Sequence, residues 1–237
     1  MTTKRILILA NSIKKNARCV AGREILDDGV KRRLGEWIRP ISRLSEGELL
    51  PNHYHYPNGV EASVLDIADL EFSSISPGPG QPENWLIDDE KSWHFVKSVD
   101  PRHIAIVEES PKDLWLVQGA RVDRISVDDQ ALRKPQSSLV VVRPEEFQIR
   151  MWSDKPPWLA HVRRFTKAIF TYAGTHYSLS ITDPVFTQKY CSNHPGEGEA
   201  ALVFTPPNGG RCLICVSLTP PFDGYHYKVV ATVLDLP

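Results

Sequence analysis

The side chains best suited to chemistry lie in two stretches near the start of the chain. Asn11 to Gly22 reads NSIKKNARCVAG, and Gly35 to Ser42 reads GEWIRPIS. If the second is extended, period-2 alternation puts Trp37, Arg39 and Ile41 on one face and Glu36, Ile38 and Pro40 on the other. An aromatic ring beside a guanidinium suits stacking on a base and contact with a phosphate. It equally suits a packed Trp capped by an Arg. Asn11, Lys14, Lys15 and Arg18 follow the first apolar run, where cations give either salt-dependent phosphate contacts or a solvated basic turn. A third stretch, GQPENWLIDD (Gly80 to Asp89), sets Asn84 and Trp85 behind a Gly/Pro loop. That is the form of a base-reading pair, or of a loop pinned by its Trp. The ligand-binding candidates are therefore Asn11, Lys14, Arg18, Trp37, Arg39, Asn84 and Trp85.

The remaining reactive residues point less sharply. Asp88, Asp89 and Glu90 form a solvated acidic run or a site for a divalent metal. Cys191-Ser-Asn-His194 followed by Cys212-Leu-Ile-Cys215 has zinc spacing. The second pair, however, sits in strand-like sequence, where residues three apart face opposite ways, so buried free thiols are the expectation. Asp183, in Thr-Asp-Pro, reads as a turn or helix cap. GxxxxGK[ST], GxGxxG after a strand, GxSxG and HExxH do not occur. No catalytic residue, metal ligand or cofactor is assigned. A non-enzymatic module is the first expectation, with a metal-dependent enzyme on nucleic acid or nucleotides as the alternative. The aromatic HYHYP loop (His53 to Pro57) is the one hint of a protein-interaction adaptor.

The elements that must position these groups read as short strands. Proline outnumbers glycine, 19 to 14, in a chain of 237 residues, which disfavours long helices. Apolar or alternating runs predict strands at Lys4–Asn11, Arg18–Ala21, Gly35–Ser42, Ser63–Phe72, Trp93–Val96, Leu114–Val117 and Arg121–Ile125. Leu139–Arg143, Phe147–Trp152, Tyr177–Ile181, Ala200–Phe204, Cys212–Leu218 and Tyr225–Leu234 follow. His161–Tyr172 also fits helical spacing through Trp158, Val162, Phe165 and Ile169, and the hairpin-like Ala173-Gly174-Thr175 after it favours a strand. Apolar residues at 25, 26, 30 and 34 predict a helix over Arg23–Leu34, weakened by Gly29. His103–Glu109 suits a strand or a short helix. The expected fold is all-β with one or two short helices. The polar, proline-broken segment Asp128–Ser138 suggests domains at residues 1–130 and 137–237.

Composition is that of a globular protein, 41% hydrophobic and 24% charged. Without an apolar run of about 18 residues no membrane span is expected, and a cytoplasmic protein with reduced thiols is. The net charge of −1 hides an asymmetry: residues 1–50 hold 11 Lys/Arg against 6 Asp/Glu, and residues 131–170 hold 8 against 3. Two such blocks either converge on one basic face or are ordinary solvated surface.

KRILILANSIKKNARCVAG, GEWIRPIS, QPENWLID, YSLSITDP and CVSLTPPFDGYHYKVVATVL, in that order along the chain, resemble the bacterial dual OB-containing domain family. The resemblance spans essentially the whole sequence. It implies two OB-like barrels packed together in a standalone protein used in sensing nucleic acid or nucleotides within antiviral conflict systems. With the two basic blocks and the aromatic candidates, the expected ligand is single-stranded nucleic acid or a nucleotide. It supplies no catalytic residues to carry over.

Overall fold

The computed structural model describes residues 1–14, 17–129, 136–157 and 160–236, with Lys14 by its backbone alone. Lys15 and part of the expected domain boundary lie outside the described residues. The architecture is all-β, as the alternation predicted. A first sheet contains β1 (Thr2–Lys14), β2 (Ala17–Asp27), β3 (Arg32–Ile41), β4 (Asp66–Ile75), β5 (Asn84–Ile87) and β6 (His94–Ser98). Its order is β1-β2-β3-β5-β4, and pairing of β4 back onto β1 closes a five-stranded barrel, with β6 outside on β4. Only β3 and β5 run parallel. β1 serves two partners because it is long and bent: Thr2–Leu7 pair with β4 and Ile6–Lys14 with β2, around a register shift between Ile8 and Ala10. Ile6, Ile8, Val20, Ile38, Leu70, Phe72 and Trp93 fill the interior. A one-turn helix, α1 (Pro51–Tyr54), lies in the long connection between β3 and β4.

Arg23–Leu34 is not a helix. It is the hairpin between β2 and β3, with Ile25 opposite Leu34 and Asp27 opposite Arg32. The turn is specified locally. Asp27 accepts from the Gly29 amide, Asp28 accepts from the Val30 and Lys31 amides, and Gly29 takes a φ of +83°. Aspartates that bond their own backbone favour a turn over a helix; of the apolar residues that imitated a helix, Ile25 and Leu34 are cross-strand neighbours and Val30 is exposed in the turn. Leu114–Val117, expected as a strand, is irregular. His103–Val107 belongs to a 3-10 helix, Pro101–Val107, capped by Asp100.

The second sheet repeats the plan. After β7 (Arg124–Ser126) come β8 (Leu139–Val142), β9 (Glu145–Asp154), β10 (Arg163–Tyr172), β11 (Thr175–Ile181), α2 (Pro184–Tyr190), β12 (Leu202–Phe204), β13 (Cys212–Leu218) and β14 (Tyr225–Asp235). The order β9-β10-β11-β14-β13-β8 returns to its start because β8 runs on into β9 across Arg143-Pro144. The two together occupy the place that β1 holds in the first barrel, and again one pair, β11 with β14, is parallel. Asp183 caps α2 through the Phe186 amide at 2.9 Å, and its other oxygen takes the Val233 amide at 3.0 Å. The protein is two OB-like units.

They share a core. The outer faces of β1, β2 and β3 pack on β8, β13 and β14 through Leu7, Leu9, Ala21 and Trp37 against Leu139, Val141, Leu213, Cys215 and Ala231. Two polar clamps cross this core. Arg39, 4% exposed, pairs with Glu83 at 3.0 Å and donates to Ser138 at 2.7 Å and Ser217 at 3.2 Å. Glu83 in turn accepts from the Ser138 amide and hydroxyl. Glu109 accepts from the Trp37 indole at 3.3 Å, from the Val141 amide at 3.0 Å and from Arg23 at 3.0 Å.

One core group is less well served. Lys228 is 2% exposed and its Nζ has no hydrogen-bond partner among the described residues, with the Tyr177 ring centre 5.9 Å away; burial holds its ammonium down to about 8 from an ordinary 10.5. The unfolded chain therefore binds a proton that the folded one releases between those values. Two outcomes are expected in urea unfolding. Glu83→Gln, which leaves Arg39 buried without its counter-charge, costs about 3–5 kcal/mol. Stability rises as pH climbs from about 8 to 10.5, whereas Lys228→Met is more stable at pH 7 by roughly 1–3 kcal/mol and loses that dependence. Equal wild-type stability at pH 8 and pH 10 would contradict the second.

Candidate functional site

An OB barrel takes oligonucleotides on the face of its second and third strands, between two flanking loops. In the first barrel that face is β2–β3, the one that carries Trp37 and Arg39. The second barrel covers it. Trp37 is buried with its indole N–H on Glu109 and Arg23 at 5.8 Å from its ring, and the Arg39 guanidinium is spent on Glu83, Ser138, Ser217 and the Cys19 thiol. Of the two roles this pair suits, the geometry is that of packing. The flanking loop between β4 and β5 is also engaged. Gln81 donates to the Leu218 carbonyl at 2.9 Å, and a Cβ on Gly80 would lie 2.8 Å from the His226 ring.

The other sequence-derived candidates separate. Asn84 is buried and donates to Gln81 at 3.3 Å. Trp85 faces the other way on β5, half-buried against Phe72 with the Lys4 ammonium 4.5 Å from its ring centre. Asn11 and Arg18 do come together, on the β1–β2 hairpin, where both contact Glu61. Asp89 lies 3.6 Å from Arg43 and 3.8 Å from His53, and Asp88 accepts from the Glu90 amide. Cys212 packs inside the second barrel and Cys215 in the shared core, so their thiols face opposite sides of β13. Burial pushes the Cys191 and Cys212 thiols up to about 11 and 12, as in packed free cysteines. Among the described residues no three metal-ligating side chains cluster.

In the second barrel the corresponding face, β10–β11 with β9 beside it, is open. Register sets its rows. Trp152 stands opposite Phe165, Arg150 opposite Lys167 and then Ser180, and Gln148 opposite Ile169 and then Ser178. The alternate residues, Ile149, Met151, Ala168, Phe170, Tyr177 and Leu179, form the barrel interior. This is period-2 alternation with a basic and aromatic outer set. The Trp152 and Phe165 rings stack at 4.9 Å and 8°, with Arg150 5.4 Å from Trp152 and Arg163 5.2 Å from Phe165. The result is a ladder of guanidinium, indole, phenyl and guanidinium. At its far end the face runs into a groove of about 630 Å³ lined in part by Gln148, Ile169, His176 and Arg211.

Electrostatics separate this face from the first barrel. There Arg5, Arg18, Arg23, Arg32, Arg39 and Arg43 are each paired with a carboxylate. On the second barrel Arg150, Arg163, Arg164 and Lys167 make no ion pair with a described residue, although Asp154 lies cross-strand from Arg163. Arg150 and Lys167 stand directly opposite each other, a like-charge arrangement that disfavours the isolated fold and that an anion would relieve. The sequence signal was there: Phe147–Trp152 alternates with Arg150 and Trp152 in phase, inside the second basic block.

A sequence profile described as the dual OB-containing domain matches residues 4–233. No curated protein matches the chain. Among solved structures it is similar to the tetrameric p202 HIN2, at 9% identity over 98% of this chain and 94% of that one, with a TM-score of 0.27; so distant a likeness decides nothing about function. No helix among the described residues is long and apolar enough to cross a membrane.

Proposed function

The chain belongs to the dual OB-containing domain family, and from that premise we propose that it is a non-enzymatic module that binds single-stranded nucleic acid on the open β9–β10–β11 face. The observation that carries this reading is the stacked Trp152–Phe165 pair, flanked by cations that no described carboxylate neutralises. Arg150 and Lys167 supply phosphate contacts. A base extends the ladder by stacking on the free plane of Arg150 or Arg163, or replaces one of them against the ring. Stacking needs a base out of its duplex, which favours single strands. OB-like architecture fits nucleic-acid binding in general, and use of such a module in sensing within antiviral conflict systems is consistent with a binding face that needs no catalytic group. The covered face of the first barrel assigns it the part of a scaffold.

Fluorescence anisotropy with labelled single-stranded DNA and RNA across a salt series tests the reading. Trp152→Ala is expected to weaken binding by about 1–3 kcal/mol. Lys167→Ala lowers the slope of log K against log salt by about 0.7, and Arg32→Ala, on the far hairpin, changes neither. No binding at low salt, or a Trp152→Ala variant with wild-type affinity, refutes it.

A further inference from the structure

A second recess, about 480 Å³, lies where the two barrels and α2 meet, inside the size range of small-ligand pockets (roughly 300–1,000 Å³). Leu65, Ile104, Val185 and Leu234 give it apolar walls, Glu61, Asp183, Lys189 and Asp235 are among its polar lining, and Asn11 and Arg18 stand together on one side. Asn11, 7% exposed, donates from Nδ2 to the Ala62 carbonyl at 2.8 Å and to Glu61 at 3.5 Å. That bond fixes the orientation of its amide. Its Oδ1 is buried and has no partner among the described residues. Arg18 pairs with the same Glu61 through Nη2 at 2.8 Å, and its Nη1 is likewise buried and unpartnered. One orphan acceptor and one orphan donor thus flank a single carboxylate on the floor of an apolar recess.

Buried polar groups left unpaired are costly, so a pair of opposite kind on one wall implies a ligand that satisfies both. The charged groups around it are already engaged, Arg18 with Glu61, Lys189 with Asp235, and Asp183 with the Phe186 and Val233 amides, which argues for a neutral occupant. We propose that this inter-barrel recess binds an uncharged nucleobase or nucleoside. An N–H on the edge of its heterocycle donates to Asn11 Oδ1, an adjacent acceptor receives Arg18 Nη1, and the flat faces lie against Leu65, Ile104 and Val185. The recess does not share residues with the β9–β10–β11 face, so this ligand site stands or falls separately from strand binding.

Saturation-transfer NMR with adenosine and uridine tests it on the whole chain, with purine ribonucleoside, which lacks an edge donor, as the discriminating probe. Adenosine and uridine are expected to saturate with dissociation constants on the order of 1 mM or tighter, and purine ribonucleoside to bind at least about tenfold more weakly. Amide shifts in the labelled wild type centre on Arg18 and Val185. Val185→Trp and Gln188→Trp, both at exposed positions of α2 that line the recess, abolish binding, and Trp152→Ala leaves it intact. The proposal is overturned if no nucleoside saturates, if purine ribonucleoside binds as well as adenosine, or if the shifts map elsewhere. Loss of binding in Trp152→Ala with retention in the α2 variants would move the nucleoside to the open face.

Discussion

The pairing of Arg39 with Glu83 inside the shared core sets how the two barrels meet. A guanidinium and a carboxylate taken out of water hold together only if nearly every donor and acceptor is used. Here the first barrel contributes the ion pair, and the second contributes the Ser138 and Ser217 hydroxyls and the Ser138 amide. Neither barrel can slide against the other without orphaning part of that network. The Glu109 clamp, which joins Trp37, Arg23 and Val141, repeats the constraint at the neighbouring register.

This fixed docking decides which surface is available. Two barrels of the same strand order would carry two equivalent ligand faces if they were merely tethered. Packing β1, β2 and β3 of one onto β8, β13 and β14 of the other removes the first barrel's face from solvent and leaves that of the second. The charge distribution follows the same division. Arg5, Arg18, Arg23, Arg32, Arg39 and Arg43 are paired with carboxylates, and Arg150 on β9 and Arg163 on β10 are left to stack on Trp152 and Phe165. The same docking creates a recess where Asn11 and Arg18 from the first barrel face α2 and β14 of the second.

Much of the architecture was legible in the sequence because a strand with one buried face writes period 2 into its residues. β9 and β11 were readable in this way; β10 was legible from the Ala173-Gly174-Thr175 turn that follows it, and the cap at Asp183 from its Thr-Asp-Pro setting. Arg23–Leu34 misled because a hairpin places apolar residues at spacings that resemble a helix turn, and only the Asp27, Asp28 and Gly29 turn chemistry distinguishes them. Alternation also correctly put Trp37 and Arg39 on one face, opposite Ile38, which lies inside the first barrel.

What the sequence by itself determined was most of the strands, the phase of those that alternate, and therefore which of their side chains share a face. What it left open was what lies against that face. Trp37 with Arg39 and Trp152 with Arg150 are the same kind of pair at the level of sequence, an aromatic and a cation two residues apart on a strand. Tertiary structure sends the first into a core with Glu83 and Glu109 and the second to solvent. Period-2 patterning is a local property of one chain segment, whereas burial of its outer face depends on a partner surface about a hundred residues away, from Arg39 to Ser138 and on to Ser217.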